Sequence, residues 1–330
     1  MKKNLIKFFI TLLIIPAMFT ACSKAKIITD DFDEAKKLAA NSNKDILVIV
    51  TTDGDDLTSS EFISKVLNNS SFNSAVKDKY IVAHLDFSSS TYKKTVSTED
   101  SSEKERQEAN IYSEKVYRNS IFANALNVEA TPAAYLVTKD PYVISTVNFD
   151  SMTPDYNDFI SALAEASNQV GFYHEQLDII NKGTISEKIA AIDELINITE
   201  VVHLPFLADK VESLIQMDTQ NESGLLYKYL VLHAKIKATD AMSSRDYEAA
   251  AGIFENLAQN KDLPLEEKQD AYYNAAYVLT FASNPDFNRI VSFLTAAIEV
   301  NPEGTATENL IEIRDSLLNS MEQAANAKNN

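Results

Sequence analysis

Three carboxylates and two hydroxyls crowd one short loop. In Asp45–Phe62, "DILVIVTTDGDDLTSSEF", Asp53, Asp55 and Asp56 are followed by Thr58 and Ser59. Clustered carboxylates are hard oxygen ligands of the kind Ca²⁺ accepts, and a hydroxyl beside a base can act as a nucleophile. Neither chemistry is completed locally. An EF-hand loop would need an acidic or amide residue at Leu57, glycine at Thr58 and glutamate at Ser64, and all three fail. The histidine nearest in sequence to Ser59 is His84, which belongs to the next apolar segment. Acids and hydroxyls ahead of a helix also cap its first amides and complement its dipole, which accounts for them without a ligand. A hydrolase-type or metal-dependent enzyme using the Asp53–Asp56 loop would need a second carboxylate or histidine brought from far along the chain. The four histidines, His84, His174, His203 and His233, lack zinc-ligand spacing and are read as satisfied or exposed side chains. Neither Gly-x-Gly-x-x-Gly nor a Gly-Lys-Ser/Thr loop occurs, so no nucleotide site is expected, and no cofactor or metal.

The elements that must position this loop come from apolar periodicity. "DDFDEAKKLAANSNKD" is an amphipathic helix, with Phe32, Ala35, Leu38 and Ala39 at helical spacing. "ILVIV", five apolar residues rich in β-branching, predicts a strand buried on both faces. After the loop a helix turns Phe62, Ile63, Val66 and Leu67 inward, and "YIVAHLDF" (Tyr80 to Phe87) is a second buried strand. This order with short connections argues for a parallel βαβ unit. The polar stretch 88–110 is read as a surface insertion that becomes helical near Ser102, the helix continuing through Ile111, Val116, Tyr117 and Phe122. "ALNVEATPAAYLVTKDPYVISTVNF" then supplies a strand, a turn at Lys139-Asp140-Pro141 and a partner strand of period two. "DYNDFISALAEAS" closes the unit as a helix burying Phe159, Ile160 and Leu163.

Composition bounds the rest. The 330 residues suffice for two domains of roughly 100–200 residues each. Six glycines, eight prolines and no tryptophan lean toward helix, and a net charge of -18 argues against nucleic acid as a partner. At the N-terminus, Lys2, Lys3 and Lys7 precede the apolar run Phe8 to Phe19, too short for the ~20 residues of a membrane-spanning helix. The run ends at Phe19-Thr20-Ala21-Cys22, which resembles a bacterial lipoprotein lipobox, although Phe19 stands where leucine is usual. The resemblance implies cleavage of residues 1–21 and diacylglycerol on Cys22, so that palmitate-type acyl chains anchor residues 22–30 as a tether to a membrane. Cys22 is the sole cysteine. Its acylation would leave the mature chain without a thiol. Ser23 is not the aspartate that retains lipoproteins in some inner membranes, so the expected location is the cell envelope, with the outer membrane favoured, on its periplasmic or surface face.

Residues 31–168 resemble the thioredoxin superfamily, in its thioredoxin-like branch. Ala35 and Lys36 lie in the opening helix, "DILVIV" takes the central strand, and "NVEATPAAYLV" is similar to the family's Gly-Val-x-x-Thr-Pro-Thr-hydrophobic segment. The resemblance implies an α/β thioredoxin-like domain with Thr131-Pro132 as a cis-proline groove, since cis peptides are essentially confined to proline. It places the family's Cys-x-x-Cys at Asp56-Leu57-Thr58-Ser59, a degenerate active-site turn. Thiol–disulfide exchange needs a thiolate. No cysteine occurs after Cys22, so oxidoreductase activity is excluded, no catalytic residue is expected, and the groove is a candidate for an extended peptide instead.

From Gln169 onward strand signals cease and residues 169–330 read as all-α, with Ser186 and Asn221 as possible caps. "DYEAAAGIFENLAQ", "DAYYNAAYVLTFA" and "DFNRIVSFLTAAIEVNPEG" resemble tetratricopeptide-repeat helices. They carry Ala250 and Phe254, then Tyr272, Ala275 and Ala276, then Ile290, Leu294, Ala297 and Pro302 at the family's offsets. An irregular antiparallel helical bundle is the alternative. Together these readings predict a non-catalytic, membrane-anchored protein that binds or scaffolds a protein or peptide partner, or else a purely structural envelope protein whose first domain is a rigid spacer.

Overall fold

The computed structural model describes residues 27–52 and 57–328. The expected signal peptide 1–21, Cys22, and Asp53, Asp55 and Asp56 of the loop lie outside the described residues.

A mixed-sheet N-terminal domain is followed by a helical C-terminal region. The edge strand β1 (Ile28–Thr29) leads into α1 (Phe32–Ser42). Asp31 caps α1 by accepting from the N–H groups of Asp33 and Glu34, and Asn43 ends it at φ 50°. Every residue of β2 (Asp45–Thr51) is buried, as an uninterrupted apolar run requires of a central strand. α2 (Leu57–Phe62) passes through a π-turn at Ile63–Leu67, and α3 (Phe72–Val76) returns the chain to β3 (Tyr80–Asp86). β3 runs parallel to β2 in the register Ile46↔Ile81 and Val48↔Ala83, the predicted βαβ unit. The stretch after β3 holds α4 (Ser89–Lys93) and then α5 (Glu103–Ala125). Ser102 and Glu105 form a reciprocal capping box at the start of α5. Within α5, Val116 and Ala123 are buried, whereas Ile111, Tyr117 and Ile121 face solvent.

β4 (Ala133–Val137) pairs antiparallel with β2, and β5 (Val143–Thr146) pairs antiparallel with β4 through a bulge, giving the order β1-β3-β2-β4-β5. Pleating sends alternate residues to opposite faces. Ile46, Val48, Val50, Ile81, Ala83 and Leu85 pack beneath α1 and α5. On the other face Leu47, Ile49, Val82, Leu136 and Ile144 meet Phe62 and α6 (Tyr156–Ala166). There Phe62, Phe149 and Phe159 cluster with ring centroids 5.1–5.2 Å apart.

This second core does not stop at α6. It continues through Tyr173 and Ile180 of α7 (Val170–Lys182), Ile189, Ile192 and Leu195 of α8 (Ile185–Ile198), and Val211 and Leu214 of α9 (Ala208–Met217). Between α8 and α9 a 3₁₀ segment, Val201–Leu207, crosses to the opposite sheet face, where His203 stacks edge-on against Tyr135 and its Nε2–H donates to the Leu126 carbonyl. The N-terminus of α8 differs from expectation. Thr184, not Ser186, is the cap, because Thr184 and Glu187 complete a capping box and Ser186 already lies inside the helix. Asn221, at φ 54°, accepts from the Leu226 N–H at the start of α10 (Leu226–Ser243).

α10 serves two cores. Tyr229 and Ile236 pack into the sheet-side cluster, while Ala234 and Ala238 join a second cluster. That second cluster is built with α11 (Tyr247–Ala258), α12 (Leu265–Leu279), α13 (Phe287–Val300) and α14 (Thr307–Lys328). Each of these helices packs on its sequence neighbours. Small buried residues, Ala250 and Ala251 on α11, Ala275 and Ala276 on α12 and Ala297 on α13, let the axes approach. Gln269 is buried where α12, α13 and α14 meet, its amide nitrogen facing the carbonyls of Ala297 and Asn301 and the Thr307 hydroxyl at 2.9–3.1 Å. Among the described residues no helix is long and apolar enough to cross a membrane.

Candidate functional site

The C-terminal end of β2, the first turn of α2 and the entry to β4 converge. A parallel central strand delivers Thr51 and Thr52 to one end of the sheet, and the antiparallel β4 begins at that same end. Thr52 Oγ1 and Thr131 Oγ1 share a hydrogen bond of 2.7 Å, and the Thr58 hydroxyl donates to the Thr131 carbonyl at 3.2 Å. Ser59 is fully buried and its Oγ accepts from the Thr52 N–H at 3.3 Å. The Thr131–Pro132 peptide is cis, with Pro132 buried behind it. Leu57 is the outward member of the turn, with 75% of its surface exposed. Of the degenerate turn Asp56-Leu57-Thr58-Ser59, the described Thr58 and Ser59 thus stand with Thr52 beside Thr131-Pro132. These bonds tie strand end, helix start and proline segment into one unit.

A neighbouring polar cluster was not foreseen. His84 Nε2 lies 2.8 Å from Thr51 Oγ1, which in turn lies 3.2 Å from Asp86 Oδ1. The two distances fit a chain in which the imidazole N–H donates to the Thr51 oxygen and the Thr51 hydroxyl donates to the carboxylate. Asp86 also accepts from Ser88 at 2.6 Å and Thr91 at 2.7 Å. Burial lowers the His84 pKa, against the opposing charges of Asp86 and Asp30, which keeps the ring neutral at pH 7. Thr51 is fully buried, so its hydroxyl is closed to a substrate, and the cluster locks the ends of β2 and β3 together. Its signal was in the register: in parallel strands of equal length, Thr51 falls opposite Asp86.

The remaining histidines scatter. His174 on α7 holds Asp45, the first residue of β2, with both carboxylate oxygens 2.9–3.0 Å from Nε2, at the opposite end of the sheet from Thr131. Asp45 raises the His174 pKa through that hydrogen bond and its charge, with burial and Lys139 opposing. His233 departs from the expectation of satisfied or exposed rings. Its Nε2 is buried on α10 with no partner among the described residues, and burial lowers its pKa, helped by Lys237. Among the described residues no group of three or more His, Cys, Asp or Glu could hold a metal ion.

Comparison with known proteins gives likenesses of three kinds. Residues 225–323, from just before α10 into α14, match a family described as an uncharacterised protein C-terminal domain. An uncharacterized protein of Treponema pallidum (strain Nichols) is 24% identical over 141 residues, 43% of this chain and 47% of that protein. The chain therefore spans about half the length of the curated relative it matches. Among solved structures, a DsbH oxidoreductase superposes with a TM-score of 0.31 at 14% identity, over 42% of this chain and 82% of that one.

Proposed function

We propose that this chain is a lipid-anchored, non-catalytic protein of the bacterial cell envelope that binds or scaffolds another protein. In this reading the mixed-sheet domain is a redox-inactive thioredoxin-like unit and α10–α14 a tetratricopeptide-like array. The observation that carries the proposal is the first turn of α2. It stands beside a cis Thr131–Pro132 peptide, as an exchange site would, in a chain whose only cysteine is Cys22. Threonine and serine hydroxyls occupy the turn and bond to Thr131 and to the Thr52 amide. A hydroxyl cannot replace a thiolate in disulfide exchange, so what such a turn retains is shape and hydrogen-bonding groups. Exposed Leu57 supplies an apolar contact at its rim. The second unit is supported by helices that pack in sequence order through small residues, the construction that gives stacked helical pairs a concave surface.

The experiment is site-specific photo-crosslinking in membranes, with the photoreactive residue at Leu57 and, as control, at Val201, which is 80% exposed and distant along the chain. The reading expects a discrete set of adducts from position 57 that position 201 does not give. Identical adducts from both positions, or none from 57, refute it. Anchoring is tested separately. Cys22→Ser should move the chain from the membrane to the soluble fraction and abolish labelling by an alkynyl fatty acid.

A further inference from the structure

The outer edge of β5 is a second place where the sheet has bonding capacity to spare. β5 is the last strand in the order β1-β3-β2-β4-β5. The Val147 N–H donates to the Ala134 carbonyl, so Val147 and, two residues back, Ser145 turn their backbone groups toward β4. Antiparallel alternation then sends the N–H and C=O of Thr146 outward, and the ladder is interrupted just before it by the bulge at Ile144. The Thr146 side chain adds to this. Its Oγ1 is buried and has no hydrogen-bond partner among the described residues. Buried polar groups are nearly always paired, so this hydroxyl marks the β5 end as short of partners; it is closed to solvent, and the groups a ligand would reach are the outward strand amide and carbonyl.

The space outside this edge is defined on its other side by the end of α6 and by the chain as it crosses from α8 into the 3₁₀ segment. The resulting groove holds about 210 Å³ and is lined by Ile144, Thr146, Glu165, Gln169, Glu200 and His203, among others. Neither lysine nor arginine lines it. Glu165 has no ion pair among the described residues, and the nearest cation-forming group to Glu200 is His203 Nδ1 at 3.7 Å. Both carboxylates are exposed to solvent. A strand edge with free donors and acceptors selects extended backbone, and a rim of two carboxylates with no lysine or arginine beside them selects positive charge.

We propose that the β5 edge binds a short, extended, cationic peptide segment. It adds as a sixth strand, pairing with the outward N–H and C=O of Thr146, with a lysine or arginine side chain seated between Glu165 and Glu200. β5 has four residues, about 13 Å at about 3.3 Å per residue, so the paired stretch is short. This site is separate from the Thr131–Pro132 turn and does not depend on the reading of that turn.

The probe is a blocked hexapeptide of alternating valine and lysine, added to the full chain without its signal peptide. Binding is followed by fluorescence anisotropy and by amide hydrogen exchange. The proposal expects exchange at the Thr146 amide to slow by about tenfold or more as the peptide saturates, with no change at Val147, already bonded to Ala134. It expects the Glu165→Gln, Glu200→Gln double variant to weaken binding by roughly fivefold, the range of two exposed ion pairs. A hexapeptide with glutamate for lysine should not bind, nor should one N-methylated on the amides that face β5. Comparable binding by either altered peptide overturns the proposal. So does an unchanged Thr146 exchange rate at millimolar peptide. These peptide controls need no variant to fold.

Discussion

Replacing His174 by alanine should destabilise the protein most at acidic pH and progressively less as the pH rises. The magnitude follows from the asymmetry of the pair. The Asp45 side chain is 8% exposed and the His174 ring 46% exposed. Breaking a fully buried pair costs about 3–5 kcal/mol, and an exposed one about 0–1 kcal/mol. Here one partner is dry and the other half in water, so leaving the buried carboxylate without its donor should cost about 2 kcal/mol, or roughly 4–8 °C in Tm. The sign of the pH dependence comes from the raised pKa of His174, caused first by its hydrogen bond to Asp45. The folded state holds the proton more tightly than the unfolded chain. The ionic part of the stabilisation is therefore complete below the ordinary histidine value of about 6.5 and is lost as pH climbs through the higher folded value. The neutral Nε2–H donor to Asp45 survives above it, so a residual difference remains. Thermal denaturation of wild type and His174→Ala in steps from pH 5.5 to 8.5 measures the gap, and imidazole NMR reports the titration directly. In Asp45→Asn the ring should titrate closer to the ordinary value. A stability gap that widens with pH, or a His174 ring titrating below the ordinary value, would falsify this account.

Other perturbations have equally definite outcomes. Phe62→Ala removes a fully buried ring from the cluster with Phe149 and Phe159 and should cost about 3–5 kcal/mol, read as a drop in the urea midpoint. Gln269→Leu leaves the carbonyls of Ala297 and Asn301 and the Thr307 hydroxyl without their shared donor. It should destabilise by about 1–3 kcal/mol, with amide exchange rising first at the start of α14. Gly304→Ala should also destabilise, because a Cβ there would lie 2.5 Å from both Asn301 Nδ2 and Gln269 Oε1; an unchanged Tm would mean that both side chains yield freely. Tyr229→Phe strips the buried phenol of its bond to Asp193 and should cost about 1 kcal/mol, measurable by chemical denaturation.

What could be read ahead of the structure depended on how local the signal is. "ILVIV" announced a strand buried on both faces because nothing but apolar β-branched residues occurs in it, and β2 is buried throughout. The bond from Thr58 to the Thr131 carbonyl joins residues 73 positions apart, and only a resemblance, no local pattern, brought them together beforehand. The Asp45–His174 pair was not legible, for its members are 129 positions apart and neither carries a flanking motif. The β5 edge was equally silent. Which amides point outward depends on the bulge and on where the chain after α8 crosses, and side-chain pattern encodes neither. Ser186 and Thr184 show a smaller limit. Both are good caps by residue type, and the reciprocal bond from Glu187 decides between them.

The double allegiance of α10 bears on how the molecule can be divided. The segment shared with other proteins begins at residue 225, almost where α10 begins. Cut there, the C-terminal piece would keep Ala234 and Ala238 in contact with α11–α14 but turn Tyr229 and Ile236, now dry against the sheet side, into a bare greasy stripe. The remaining N-terminal piece would gain the matching hollow. The helix thus works as a spline keyed into both halves, so the start of the shared segment is not a boundary between independent cores.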